Sequence, residues 1–251
     1  MTAITISFIV FACVFGGAVL GTALQAALPR HHLAADSKEA VRLGMGLVAT
    51  MAALVLGLLV GSAKSSYDAQ GSELTEMSAN LVMLDRALAH YGPETKAARD
   101  LIRASTIRIL DQGWSKNRKD TSQLEPRSAG GEAVYESIQD LSPRDDRERT
   151  LQAVALSIAA SLGETRWLMF EQGAASISMP LLIVLIFWLT ALFISFGLFA
   201  PSNATVVASF LISALSVSGA ILLIVEMYTP YAGIIQISST PLRTALAQLG
   251  L

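Results

Sequence analysis

The chain has 251 residues, of which 53% are hydrophobic and 15% charged, too apolar a balance for one water-soluble domain to hide. The net charge of -2 argues against a general nucleic-acid binder. One cysteine, Cys13, excludes disulfides within the chain and any thiol cluster for metal or redox chemistry.

In chain order, the first element is a charge-free stretch from Met1 to Pro29. It lacks a basic residue ahead of its apolar run, and the run is too long for a signal-peptide core, so it reads as a span and not as a cleaved leader. A second uncharged stretch runs from Leu43 to Ala63, and a third from Gln172 to Val225. Roughly 20 apolar residues in helix cross a bilayer once, so the third stretch suffices for two crossings, divided at Pro201-Ser202-Asn203. Four transmembrane helices follow, at about 4–28, 42–63, 175–199 and 204–227. Pro180 suits the first turn of the third.

Between the second and third spans lies a soluble insert, residues 64–173, whose pattern is helical. Leu74, Met77, Leu81, Leu84, Leu88 and Tyr91 follow one another by steps of three and four and form one apolar seam. Gly92-Pro93 ends that helix and starts a second, with Leu101, Ile102, Ile109 and Leu110 inward and an end near Gly113. The mostly polar residues 115–131, closing on Gly130-Gly131, read as a loop. The last insert helix is predicted to start with Ser142 as cap and Pro143 in first position, to bury Leu151, Ala155, Ile158 and Leu162, and to run on past Trp167. After the fourth span, Pro230 and Gly233 predict a turn. Thr240-Pro241 then opens a short amphipathic helix with Leu242, Leu246 and Leu249 on one side, lying on the membrane surface or against the insert. The predicted organisation is therefore all-α: a four-helix transmembrane protein (1–63 and 174–228) with a helical insert (64–173) and a C-terminal turn and helix (229–251).

Four crossings put both termini and the insert on one side. The insert holds 14 of the 18 Lys and Arg, which favours the cytoplasmic face of the cell inner membrane, although the first loop carries Arg30, Lys38 and Arg42.

Every three to four residues, the second span presents Gly46, Thr50, Ala53, Gly57, Gly61 and Lys64, while its other faces carry Leu47, Met51, Leu54, Val55 and Leu58. One explanation is close helix packing, since Gly57 and Gly61 form a small-xxx-small pair, as do Gly17 and Gly21 in the first span. The other is a pore wall, with Thr50 offering a hydroxyl and Lys64 a cationic ring at the mouth. Ser209, Ser213, Ser216 and Ala220 form a comparable row in the fourth span, read as structural. Glu226 is the one acidic residue within the limits of the spans, so it reads either as a functional candidate or, given its end position, as a solvated carboxylate at the interface. His31-His32 with Asp36 lack the spacing of a metal site, and Asn203-Ala204-Thr205 is a glycosylation pattern of low specificity. No phosphate loop, zinc-hydrolase pair or nucleophile elbow is present, and neither a mid-membrane ionisable residue nor an inverted repeat stands out. An enzyme or a proton-coupled pump is therefore not expected, and no metal or cofactor is implied.

Two segments carry a family resemblance. Leu54–Val60 followed by Lys64-Ser65-Ser66-Tyr67-Asp68 is similar to the pore-lining second span of bacterial bestrophins and the Ser-Tyr pair beyond it. Glu226 with Pro230, Tyr231 and Gly233 resembles the acidic residue and Pro-Phe-Gly turn after the fourth bestrophin span, with Ala232 inserted. Across nearly the whole chain the sequence most resembles the bacterial bestrophin-like family. The resemblance implies a homo-oligomer, a pentamer by analogy, conducting inorganic ions, mostly anions, through a path lined by the second span. Two features differ: the second span has no phenylalanine, and no acidic calcium-binding cluster follows Gly233. The alternative is a non-conducting scaffold or sensor whose insert binds a cytosolic partner through the Leu74–Tyr91 seam.

Overall fold

A computed structural model describes residues 2–29, 35–114, 130–173, 177–201, 203–231 and 233–250, and among them there are helices and no strands. The helices are α1 (Ala3–Ala27), α2 (Ala35–Tyr91), α3 (Lys96–Gly113), α4 (Gly130–Gln139), α5 (Asp146–Gly173), α6 (Met179–Phe199), α7 (Ala204–Met227) and α8 (Thr240–Gln248). A 3-10 turn, Pro93–Thr95, precedes α3. The chain divides into two compact units: Met1–Ser65 with Ser176–Tyr228, and Ser66–Ala175 with Thr229–Leu251. The first holds the spans and the second the insert.

Four helices are long and apolar enough to cross a membrane: α1, the apolar part of α2, α6 and α7. The protein is an all-α membrane protein of the predicted class. Its starts are chemically defined. Thr2 caps α1 by accepting from the Thr5 backbone N–H at 3.3 Å, and Asn203 caps α7 through the Val206 N–H at 2.9 Å. Pro180 lies in the first turn of α6, where it needs no backbone donor.

The core of the span unit is built on α1 and α6. Val10, Val14 and Ala18 meet Leu185, Leu189, Leu192 and Phe193, and Ala214 and Ile221 of α7 complete the cluster. Gly21 and Gly197 let two backbones touch. A Cβ on Gly21 would collide with the Ile194 carbonyl oxygen and come within 3.0 Å of Gly197 Cα, and a Cβ on Gly197 would collide with the Ala18 carbonyl. Gly17 is nearly as tight, since a Cβ there would lie 3.0 Å from the Thr190 carbonyl oxygen. The small-xxx-small pair of α1 is thus consumed in helix packing. A polar tie reinforces it, Ser7 Oγ donating to the Ser218 carbonyl at 2.8 Å. Gly21→Ala is expected to cost about 1–3 kcal/mol of stability, since backbone atoms cannot step aside as side chains do. Gly16→Ala, which meets nothing within 4 Å, should be neutral. Thermal midpoints in detergent compare the two, and an unshifted Gly21→Ala would mean that α1 and α6 do not touch there.

In the insert unit the whole Leu74–Tyr91 seam is buried, covered by Ala98, Ile102 and Leu110 of α3, Val134 and Ile138 of α4, Leu162 of α5 and Leu242 of α8. Leu246 packs on the same cluster, so the C-terminal helix lies against the insert, and Ile109, Ile158 and Leu151 are partly buried. Leu101, expected inward, is 37% exposed, because Ile102 takes the inward position.

Three local expectations are corrected. The second span and the first insert helix are one element, since between Ser62 and Glu76 only Gly71 opposes helix, at a cost of about 1 kcal/mol. Gly130 and Gly131 belong to α4 and not to a loop, because Val134 and Ile138 anchor that helix in the core. Residues 115–129 of the expected loop lie outside the described residues. The cap of α5 is Asp145 instead of Ser142: its carboxylate accepts the Glu148 N–H at 2.7 Å, while Glu148 accepts the Arg144 N–H at 2.7 Å. At the end of α2, Gly92 adopts φ of 150°, and Thr95 Oγ1 donates to the Leu88 and Gly92 carbonyls, each at 2.7 Å.

Candidate functional site

The six small or polar positions of α2 share one open face. Gly46, Thr50, Ala53, Gly57, Gly61 and Lys64 are all exposed in the subunit. A Cβ at Gly46, Gly57 or Gly61 meets no atom within 4 Å, the opposite of Gly17, Gly21 and Gly197. Thr50 keeps its hydroxyl on its own helix, donating to the Gly46 carbonyl at 3.0 Å. The core-facing side of α2 is Ala52, Leu59 and Ala63, and at about 100° per residue the small face points away from it. A neighbouring strip, Leu43, Leu47, Met51, Leu54 and Leu58, is also exposed. Only 11% of the apolar window of α2 is buried, against 39% in α6, 28% in α1 and 22% in α7. Among the described residues α2 is the span with least cover from its own chain, and its glycines make no close contact across the helix.

The serines of α7 follow the structural reading in part. Ser216 Oγ bonds back to the Ile212 carbonyl at 2.9 Å, while the bond between helices uses the Ser218 carbonyl, outside the predicted row. Glu226 is buried in the span unit, at 5% exposure. Near the same end of α7, the Tyr228 hydroxyl lies 3.1 Å from Ser62 Oγ of α2.

Past α7 the turn residues come together within the insert unit. Pro230 is buried, and Gly233 takes φ of 107°, which lets the chain fold back so that the Ile237 N–H donates to the Pro230 carbonyl at 2.9 Å. Trp114, at the end of α3, locks this turn: its indole N–H donates to the Ile237 carbonyl at 2.8 Å, and its ring meets the Tyr231 ring edge-on at 5.7 Å. Ala232 is outside the described residues. Of the other motif positions, Tyr67 packs partly buried on the insert core and Asp68 is exposed.

A second anchor fixes the tail. Arg99 donates from Nε and Nη2 to the two Asp85 oxygens at 2.8 and 2.9 Å, the Gly250 N–H adds a third bond at 3.2 Å, and Arg103 reaches the Leu249 carbonyl at 2.9 Å. Burial pushes the Asp85 carboxyl up, but the bonds from Arg99 and Gly250 and the charges of Arg99 and Arg86 outweigh it, holding the group below its ordinary value. Sequence reading missed this pair and Trp114. The signals were an aspartate one turn after Leu81 on the buried side of the seam, and a tryptophan opening a polar segment.

His31 and His32 lie outside the described residues, and among the described ones no group of three or more His, Cys, Asp or Glu side chains is placed to hold a metal. The family model described as Bestrophin-like domain matches residues 12–242 of the chain. No curated protein and no solved structure matches it.

Proposed function

Because this chain belongs to the bestrophin-like family, we propose that it works as a homo-oligomeric ion channel, with several copies of α2 surrounding a central path. The observation that carries this reading is the contrast between glycines. Gly17 and Gly21 of α1 and Gly197 of α6 are spent on backbone contact inside the subunit, whereas Gly57 and Gly61 face open space on the least covered span and Gly46 borders a cavity. A row of residues with little or no side chain keeps an axial path wide, and it presents water with backbone and a threonine hydroxyl instead of leucine. In this arrangement all four apolar helices cross the inner membrane, and the insert and both termini are cytoplasmic. Lys64 then forms a ring of like charge at the inner mouth, raising the local concentration of anions over cations. No bound cofactor is required, and the chemistry is selection and passage, not catalysis.

The scaffold alternative loses the surface it was built on. Every residue of the Leu74–Tyr91 seam is buried in the insert's own core. A cytosolic partner would need another face.

The direct test is the purified full chain in liposomes, with chloride and sodium flux followed over a range of voltage and pH. Passage of neither ion would overturn the proposal. Lys64→Glu is expected to lower the chloride-over-sodium permeability ratio by about tenfold, equivalent to about 1.4 kcal/mol in relative entry cost. An unchanged ratio would remove Lys64 from the conduction path.

A further inference from the structure

Within the span unit, α2, α6 and α7 line an open-sided cavity of about 580 Å³, the size of many small-ligand pockets, with Gly46 at its edge. Its lining is divided by chemistry. Lys38 and Arg42, one turn apart on α2, supply two cations, and among the described residues no acidic side chain lines the space. The rest is mainly apolar, including Leu192, Phe196 and Phe199 of α6 and Phe210 of α7, with Ser209 among them. Lys38 is set in place by donating to the Phe199 carbonyl at 3.3 Å, at the negative end of α6.

The position of the cations along α2 fixes their depth. The charge-free run begins at Leu43, immediately after Arg42, so both cations stand at headgroup level where the hydrocarbon starts. Lys64 lies at the other end of that run, so this is a separate basic locus from the proposed mouth. A soluble anion bound by Lys38 and Arg42 would leave the leucine and phenylalanine walls empty or wetted, whereas an acyl chain fills them.

We propose that this cavity binds an anionic phospholipid of the bilayer, its phosphate between Lys38 and Arg42 and an acyl chain along the α6 and α7 walls. The lipid supplies α2 with contacts that its own chain does not provide. The proposal stands on the cavity and its charges and does not depend on conduction.

The full chain in neutral detergent, exposed to phosphatidylglycerol, phosphatidylcholine or inorganic phosphate, tests it by native mass spectrometry and thermal midpoint. Phosphatidylglycerol should be retained roughly tenfold over phosphatidylcholine, as two cations near one headgroup imply. It should also raise the midpoint, while inorganic phosphate should not. Lys38→Gln with Arg42→Gln is expected to abolish the preference, and Lys38→Arg with Arg42→Lys to keep it. If the double glutamine variant does not fold, Arg42→Gln alone should still reduce the preference severalfold. Equal retention of the two lipids by the native chain, a preference that survives loss of both cations, or stabilisation by phosphate alone would each overturn it.

Discussion

Gly57→Phe is expected to silence ion flux through the reconstituted protein while leaving the subunit folded. Among the described residues nothing lies within 4 Å of a Cβ at this position, and it points away from the core-facing side of α2, so the added ring leaves the subunit's core undisturbed. Glycine is also the poorer helix former by up to about 1 kcal/mol, so the helix itself loses nothing. The cost appears only in the assembly. If α2 helices surround an axis, every copy adds a ring at one level, and the rings together close a path that hydrogen atoms left open. Flux should fall by two orders of magnitude or so, since an apolar constriction excludes ions by dewetting. Liposome flux measured beside chemical cross-linking separates the outcomes. Retained flux would remove the glycine face from the path. A folded subunit that no longer assembles would make that face a contact between copies and return the packing explanation to first place.

The second large effect concerns stability. Asp85→Ala removes a carboxylate that is 1% exposed and leaves the Arg99 guanidinium and the Gly250 N–H without their acceptor. Breaking a fully buried pair costs roughly 3–5 kcal/mol. Arg99 keeps 22% exposure and recovers some hydration, so about 2–4 kcal/mol is expected. Loss should be local first: α8 and the chain to Gly250 are held by this cluster and by Arg103, so hydrogen exchange across residues 240–250 should accelerate before the unit melts. Arg99→Lys should recover little, because the two parallel bonds need the planar fork. Acid acts through the same group. The folded carboxyl titrates below its usual 3.8, so its contribution is fully present above that value and is lost as pH falls through the lower folded value. Asp85→Ala should flatten the stability profile below about pH 4. A thermal midpoint and exchange pattern equal to those of the native chain would show that the pair holds nothing.

The elements legible in the sequence were those set by local composition. Long uncharged runs located α1, α6 and α7 to within a few residues, and the three-and-four spacing of Leu74 to Tyr91 identified a buried face correctly. Boundaries set by distant contacts were not legible. The charge at Lys64 looked like the end of one helix and the start of another, yet the backbone has no reason to stop there: charge decides which medium a helix meets, not whether it continues. Gly130-Gly131 carried a loop signal that core contacts of Val134 and Ile138 overrode. The stripe Gly46 to Lys64 was visible as a pattern, but spacing alone could not distinguish packed glycines from open ones. That distinction required the atoms opposite each, which Gly17 and Gly21 have and which, among the described residues, the α2 glycines lack. The Asp85 and Trp114 anchors depend on partners brought near only by folding.

The interlocked backbones at Gly21 and Gly197 also set a timetable for biosynthesis. The partner that fills the groove of α1 is made about 175 residues later, which at ordinary translation speeds is a delay of about 10–35 s. Throughout that interval α1 sits in lipid with its glycine notch unfilled, while the entire insert is synthesised. Closure of the span unit therefore awaits the arrival of α6, and a chain interrupted before that point leaves behind a helix primed to seize any other small-residue surface in the bilayer.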